Sequence, residues 1–148
     1  MVNPIMRIKI VKIKPSTVGE GRIYDQYVFL QLLDGTIFDV FDFKVLANPE
    51  MINRIKNTTI SVSLASISKL SHEKFGVDPS QDVDLPTGSG HVFYGKIEEI
   101  DEKHYELTVD VGMGTVLVTP DLGELKKYNL GDFVRVLAVR VDLDKILD

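Results

Sequence analysis

The chain has 148 residues, of which 44% are hydrophobic and 26% are charged, and its formal net charge is −5. Such a composition can bury a sizeable core, so a wholly disordered chain is excluded. The chain has no cysteine, which excludes disulfide bonds and thiolate metal sites and gives secretion no support. Its apolar runs are strand-sized, far short of the roughly 18 residues of a membrane span, so we expect a cytoplasmic protein without a membrane segment.

Short runs of β-branched and aromatic residues, with almost no helical periodicity, predict an all-β fold. In the first half, strands are predicted near residues 5–14, 24–33, 36–43 and 58–68. Asp34-Gly35 predicts a tight hairpin turn between the second and the third of these strands. Between the third and the fourth, Asn48 is suited to cap a short helix and Pro49 to begin it.

Residues 71–90 are rich in Pro, Gly, Ser and Asp, which is typical of a linker. After this segment the order of elements repeats, with a tight turn at Gly112 to Gly114 and a helical turn within residues 120–128. The strands of the second half are predicted near residues 91–100, 104–111, 114–119 and 132–143. The repeated order favours an internal duplication, in which "DGTIFDV" from Asp34 matches "MGTVLVT" from Met113.

Each half resembles the oligonucleotide/oligosaccharide-binding (OB) fold, in which a helix lies between the third and fourth strands of a small Greek-key barrel. The resemblance implies two OB-like barrels in tandem, a basic one at residues 1–70 and an acidic one at residues 91–148, joined by a linker at residues 71–90. The OB fold needs five strands, so residues 58–70 and 132–147 would each have to bend into two. One eight-stranded barrel, or a pair of SH3-like barrels, fits the same pattern.

The first predicted strand contains the stretch RIKIVKIK, residues 7–14, in which the alternation of charged and apolar residues slips by one. The two cations before the slip and the two after it have opposite parity. A β-bulge at Ile10-Val11 would turn every cation outward and the apolar residues inward. The residues expected to face inward are Ile8, Ile10, Val11 and Ile13. First strands of small barrels commonly bend sharply, so barrel closure accounts for the slip and leaves a basic stripe outside.

Charge is divided unevenly between the two halves of the chain. Residues 1–75 carry ten Lys and Arg against seven Asp and Glu, while residues 76–148 carry seven against fifteen, so the halves are +3 and −8. This division is compatible with a basic face that binds a polyanion, with two halves that attract one another, or with an unevenly charged solvated surface.

The OB resemblance also implies a site. In that fold the loop between the first two strands and the exposed face of the second and third bind single-stranded nucleic acid, with cations on phosphates and aromatic rings on bases. We therefore predict single-stranded nucleic acid as the partner of the first half. The predicted binding residues are Arg7, Lys9, Lys12, Lys14, Arg22, Tyr24 and Tyr27. Phe29, Phe38 and Phe41 are flanked by apolar residues and are predicted to be core, and the alternative is that the lysines are merely solvated.

The second half presents a different surface, because Glu98, Glu99 and Asp101 occupy places in its first strand where the first half has cations. These carboxylates would repel phosphate and could attract a basic partner. The alternative function is therefore a protein-interaction or assembly module, with a protein partner or a second copy of the chain.

Catalysis finds little support in the sequence. Three histidines, His72, His91 and His104, stand apart from one another, and no serine lies in a nucleophile motif. No catalytic residue, metal or cofactor is predicted. An enzyme with a site assembled between the halves, such as a metal site that adds Asp82 and Asp84 to the histidines beside the linker, is left open.

Overall fold

The computed structural model describes residues 4–80, 88–121 and 125–147. These residues form ten β-strands and two short 3₁₀ turns, which confirms the predicted all-β class. The strands are β1 (Met6–Gly19), β2 (Arg22–Gln31), β3 (Ile37–Asp42), β4 (Ile55–Lys69), β5 (Gly76–Asp78), β6 (Val92–Asp101), β7 (Glu106–Asp110), β8 (Thr115–Pro120), β9 (Phe133–Leu137) and β10 (Arg140–Ile146). The 3₁₀ turns are Pro49–Met51 and Leu125–Lys127.

Five strands close on themselves in what we call ring one. β1, β2 and β3 form an antiparallel meander. β10 joins β3 in parallel orientation, β4 pairs antiparallel with β10, and β4 then pairs back with β1. The fifth strand of ring one therefore comes from the second half of the chain.

Ring two repeats this arrangement. β6, β7 and β8 form an antiparallel meander, β8 is parallel to β4, and β9 pairs antiparallel with both β4 and β6. The short strand β5 adds to the edge of β6. Here the fifth strand is the end of β4, which comes from the first half of the chain.

The two rings thus exchange their fifth strands. Residues 55–63 of β4 pair within ring one and residues 61–69 pair within ring two. The chain changes direction at Leu64, whose φ is 53°, and again at residues 138–139 between β9 and β10. Residues 58–70 and 132–147, which an OB-like arrangement requires to bend, therefore both bend. The division of the chain into barrels at residues 1–70 and 91–148 stays a prediction. The strand pairings show in addition that each half of the chain supplies a strand to the ring formed mainly by the other half.

One apolar core runs through both rings. Its buried side chains form a single cluster, in which Phe38 of β3 meets Phe93 of β6 edge to face with 5.9 Å between ring centroids. The alternating burial of β2 and β3 supplies one wall and that of β6 to β8 the other. Burial of this shared core stabilises both rings together.

Two local predictions differ in outcome. The Asn48 side chain accepts a hydrogen bond from the Glu50 N–H at 3.0 Å and Pro49 opens the helical segment, as predicted, but the segment is a single 3₁₀ turn. Residues 15–19, predicted to be loop, instead belong to β1 and pair with β2. Pro15 is tolerated there because β1 pairs with β4 only as far as Lys9, so among the described strands this part of β1 has β2 alone as a neighbour.

Candidate nucleic-acid interface

The predicted bulge of β1 is present. Ile10 pairs with Leu30, and the next pair is Lys12 with Phe29, so Val11 is an extra residue on β1. A bulge of this kind bends the strand and resets which side chains face the core.

The bulge keeps the cations of β1 on the outer face. Ile8 and Ile10 are buried before it, and Ile13 packs against the core after it. Val11 is half-buried. Arg7, Lys12 and Lys14 are exposed and Lys9 is half-buried. The bulge explains the parity slip, as predicted, but Val11 is its unpaired residue and does not join the core-packed side chains, so the prediction that Val11 faces inward is not supported.

Aromatic side chains lie next to the second pair of these cations. Lys12 is opposite Phe29 in the sheet and Lys14 is opposite Tyr27, while Phe41 of β3 is opposite Tyr27 on the other side. The Lys12 Nζ lies 5.3 Å from the centroid of the Phe29 ring, and the rings of Tyr27 and Phe41 are 5.4 Å apart. Cations on β1 thus border aromatic rings on β2 and β3.

This geometry corrects the prediction that Phe29, Phe38 and Phe41 are all core residues. Phe38 is buried, but Phe29 and Phe41 have the opposite parity and are half-buried on the outer face. Apolar residues occupy both parities of β3, so flanking hydrophobicity alone could not separate the two sides.

The aromatic row continues beyond Phe41. Phe43 is 44% exposed and lies 6.4 Å from Phe41, and Lys44 lies 5.3 Å from the Phe43 ring. The guanidinium of Arg140 lies 4.8 Å from the Phe41 ring. Arg140 begins β10, so the second half of the chain contributes a cation to this surface. We call the surface the aromatic face and define it as Lys12, Lys14, Tyr27, Phe29, Phe41, Phe43, Lys44 and Arg140.

Carboxylates moderate the charge of the aromatic face. The Nε of Arg140 donates to Asp142 at 2.6 Å, so part of its charge is already balanced. Asp39, opposite Phe29 in the sheet, is engaged by the Gly88 N–H and by the ring of His91. The lysines of β1 therefore supply most of the attraction for an anion.

His91 is a structural residue. Its buried ring accepts the Ser80 N–H at Nδ1, and its Nε2 donates to the main-chain oxygen and the carboxylate of Asp39. Both ring nitrogens have protein partners, which fixes the tautomer with the proton on Nε2. The linker metal site left open from the sequence gains no ligand from His91, and Asp82 and Asp84 lie outside the described residues.

Arg22 and Tyr24 lie in the hairpin arm at the tips of β1 and β2. Glu20 and Gly21 both have positive φ and make the tight two-residue turn of the arm. Tyr24 is 48% exposed, and its ring lies 5.7 Å from the guanidinium of Arg22. The structure therefore groups these two predicted residues with each other, and groups Tyr27 with Phe41.

Arg7 and Lys9 also separate from the aromatic face. Lys9 lies opposite Gln31 on one side and Ile55 on the other, at the far end of β1 from the arm. Both cations line a groove with Leu33. Of the four cations in the predicted stripe, two therefore lie beside aromatic rings and two beside apolar side chains.

Ring two has the same bulge with opposite charge. In β6, Ile97 pairs with Val109 and the next pair is Glu99 with Thr108, so Glu98 is the extra residue. Burial and the neighbouring charge of Asp110 raise the pKa of Glu98.

Asp101, farther along β6, pairs with Glu106 and accepts a hydrogen bond from His104 at 2.8 Å. This bond lowers the pKa of the Asp101 carboxyl and raises that of the His104 ring. The face of β6 is thus acidic where that of β1 is basic.

No protein-family model, no curated protein and no solved structure matches the chain. Within residues 4–80, 88–121 and 125–147, no three His, Asp or Glu side chains are grouped so that they could hold a metal ion. In the same residues no helix has the length and apolar character that crossing a membrane requires.

Proposed function

We propose that the aromatic face binds single-stranded nucleic acid and that the protein acts by binding without catalysis. The observation that carries the proposal is the group of half-buried aromatic rings on the outer face of β2 and β3, bordered by the lysines of β1 on one side and by Arg140 of β10 on the other. Such a surface combines attraction for phosphate with flat platforms for bases.

The ring topology supports the proposal. Ring one has five strands with a 3₁₀ turn between the third and fourth along its first half, which is the arrangement expected of an OB-like barrel. In OB folds the exposed face of the second and third strands is where nucleic acid binds. Tyr27, Phe29 and Phe41 lie on that face of β2 and β3.

The chemistry favours a single strand over a duplex. The faces of bases are covered by their neighbours in a duplex and become available for stacking only in single strands. The row from Phe29 through Tyr27 and Phe41 to Phe43 offers platforms along its length, and the Lys12 and Lys14 ammonium groups border it. The proposed ligand is therefore single-stranded DNA or RNA, held without strong preference for sequence in the cytoplasm that the composition predicts.

Fluorescence anisotropy with a labelled, mixed-sequence single strand tests the proposal. We expect binding at low salt that weakens as salt is added, because each neutralised phosphate contributes about −0.7 to the log–log slope. The double substitution Lys12→Gln/Lys14→Gln should make the slope shallower by about 1.4. Phe41→Leu and Tyr27→Leu keep the apolar bulk but remove ring platforms, and each should cost about 1 to 3 kcal/mol with little change of slope.

The matched control is Glu99→Gln/Asp101→Gln in ring two, which should leave the slope unchanged apart from a slightly tighter overall affinity. Absence of binding by the intact protein to single-stranded DNA and RNA at low salt contradicts the proposal. Equal losses for the Lys12/Lys14 pair and for an exposed lysine pair elsewhere, such as Lys103 and Lys126, would contradict the location.

A further inference from the structure

A groove with an apolar lining and cationic borders lies at the end of ring one away from the hairpin arm. It encloses about 250 Å³ between the β2–β3 turn and the paired ends of β1 and β4. Leu33 and Ile55 line it and are 75% and 52% exposed. Arg7 and Lys9 line it as well.

The exposed Leu33 and Ile55 side chains, beside the cations Arg7 and Lys9, form a surface that a partner could cover. Covering a leucine and an isoleucine would release the solvent around them, which is favourable in proportion to the apolar area removed from water. Arg7 and Lys9 determine what kind of partner binds. A surface that covers these cations binds favourably only if it places carboxylates opposite them. The groove therefore fits an acidic surface that projects an apolar side chain.

Ring two carries a surface of that description. Leu130 is 65% exposed, and with the bulged part of β6 it lines an open surface depression of about 510 Å³. The carboxylates that line the same depression are those of Glu98, Glu99, Asp101 and Glu102. We call these four residues and Leu130 the acidic surface.

The carboxylates of the acidic surface outnumber the basic side chains that line the same depression. The carboxyl of Glu98 is held close to that of Asp110, and this repulsion adds to burial in raising its pKa. Among the described residues that line this depression, the basic side chains are Lys103 and His104, and His104 is already paired with Asp101. Four carboxylates against two basic side chains leave the acidic surface with a net negative charge, which favours a cationic partner.

We propose that the acidic surface of one copy of the protein docks into the groove of a second copy. Leu130 of the first copy covers Leu33 and Ile55 of the second. Arg7 and Lys9 of the second copy face the carboxylates of the first. The charges and the apolar side chains of the two surfaces are complementary. A second copy of the protein is therefore the partner that we propose for the groove.

The proposed contact joins two different surfaces, so it is heterologous and leaves a free groove at one end and a free acidic surface at the other. Association therefore extends head to tail beyond a dimer. Both surfaces are small beside a stable interface of about 1,200 to 2,000 Å², so the contact is weak and sensitive to salt. It uses no residue of the aromatic face, and it stands or falls independently of nucleic-acid binding.

Sedimentation velocity of the intact protein tests the proposal at loading concentrations from about 10 μM to about 1 mM, where weak complexes form. At low salt we expect a weight-average mass that rises above the monomer mass of 16.6 kDa with concentration. At about 1 M salt, where the screening length is about 3 Å, the mass should return towards the monomer.

Single-surface variants sharpen the test. Leu33→Ser removes apolar contact from the groove and Leu130→Ser removes it from the acidic surface, and each should weaken self-association by about tenfold. An equimolar mixture of the two keeps one intact pair of surfaces, so it should form a complex that stops at two chains. Val18→Ser, at a 60% exposed position in the hairpin arm, is the matched control and should associate like the unmodified protein.

A variant that removes the charges of Arg7 and Lys9 tests whether these cations contribute to self-association. Arg7→Gln/Lys9→Gln should weaken association by about fivefold and Lys12→Gln/Lys14→Gln should leave it unchanged. A protein that stays monomeric at low salt overturns the proposal, as does association that survives both serine substitutions. Binding of a synthetic peptide rich in Glu and Leu to the groove, without self-association, also overturns it and assigns the groove to another protein.

Discussion

Rings one and two each contain a β-bulge in their first strand, but the side chains beside the two bulges carry opposite charges. β1 and β6 each carry a bulge after an inward isoleucine, Ile10 in one and Ile97 in the other. The next residue that pairs across the strands after the bulge is Lys12 in ring one and Glu99 in ring two. Because the bulge occurs with either charge, it accompanies the closure of a small ring and does not depend on charge, which is free to serve another purpose.

The residues opposite the two bulges, on β2 and β7, also differ between the rings. Lys12 lies opposite Phe29, whereas Glu99 lies opposite Thr108. Ring one thus combines cations with aromatic rings, and ring two has neither at the matching place. The two rings therefore share an order of strand pairing, while the candidate site is present in ring one alone among the described residues.

The largest expected effect comes from Gly95 of β6, where the strand passes so close to its neighbour that a Cβ would overlap the carbonyl oxygen of Asp110. Gly95→Ala should destabilise the protein by about 3 kcal/mol, because the main chain must move to accept the methyl group. Urea denaturation followed by circular dichroism measures the loss. Since β4 and β10 join the rings, both should unfold in one transition.

Gly19→Ala is the control, because its Cβ would meet only the outer edge of the Tyr24 ring, at 3.3 Å. It should change the free energy of unfolding by less than about 1 kcal/mol. Two separate transitions in Gly95→Ala would show that the rings unfold independently, against the exchange of strands.

A smaller loss is expected at the end of β3, where the rings differ again. β3 ends in the buried Asp42, whose carboxylate accepts from the Gln26 amide and from the N–H groups of Leu46 and Ala47. β8 ends in Pro120 instead. Asp42→Ala leaves these donors without their acceptor and should cost about 2 to 3 kcal/mol in the same measurement.

The exposed Asp121, which follows β8, supplies the matched control. Asp121→Ala should stay within about 0.5 kcal/mol of the unmodified protein. Equal effects of the two substitutions would mean that the Asp42 hydrogen bonds do not hold the end of β3.

Exchanging charge between the rings separates electrostatics from stacking. Glu99→Lys/Asp101→Lys places cations on ring two but no aromatic rings beside them. We expect weak nucleic-acid binding there whose salt slope steepens by about 1.4, with no gain from stacking. Anisotropy titration in the Phe41→Leu background measures this contribution. If the altered ring two binds as tightly as ring one, the aromatic side chains have no part in binding.

The smallest expected effect concerns the exposed His104, whose pKa is raised above the ordinary 6.5 by its hydrogen bond to Asp101 and by the charge of that carboxylate. A raised pKa in the folded state gives stability that is fully present below the unfolded value and is lost as pH rises through the folded value. Asp101→Asn should lower the His104 pKa in an NMR titration of its ring protons. Glu106→Gln should lower it less, and an unchanged value in Asp101→Asn would contradict the pairing.

Much of the local structure could be predicted from the sequence because its causes are local. The parity slip at Ile10-Val11 predicts a bulge, and Asn48-Pro49 predicts the start of a helical turn, since each depends on residues a few positions apart. The extension of β1 through Pro15 was missed because proline and glycine are typical of loops and an edge strand also tolerates them.

The exchange of strands could not be predicted in the same way. Alternation in β10 says which side chains face inward but does not say that its partner is β3, which lies about a hundred residues earlier. The outward position of Phe41 was hidden because Asp42, a charged residue, takes the buried place beside it. Arg140 joined the site only through that long-range pairing, so sequence alone had no local signal for it.

The most direct measurement of the proposed binding is an NMR titration of the ¹⁵N-labelled protein with an oligothymidylate of about eight nucleotides, long enough to cover several stacking platforms. The expected result is a set of shifted amide signals centred on Lys12, Phe29 and Phe41, with the signals around Glu99 and Thr108 unmoved. Shifts centred on β6 and β7, or no shifts at low salt, would contradict binding by the aromatic face of ring one.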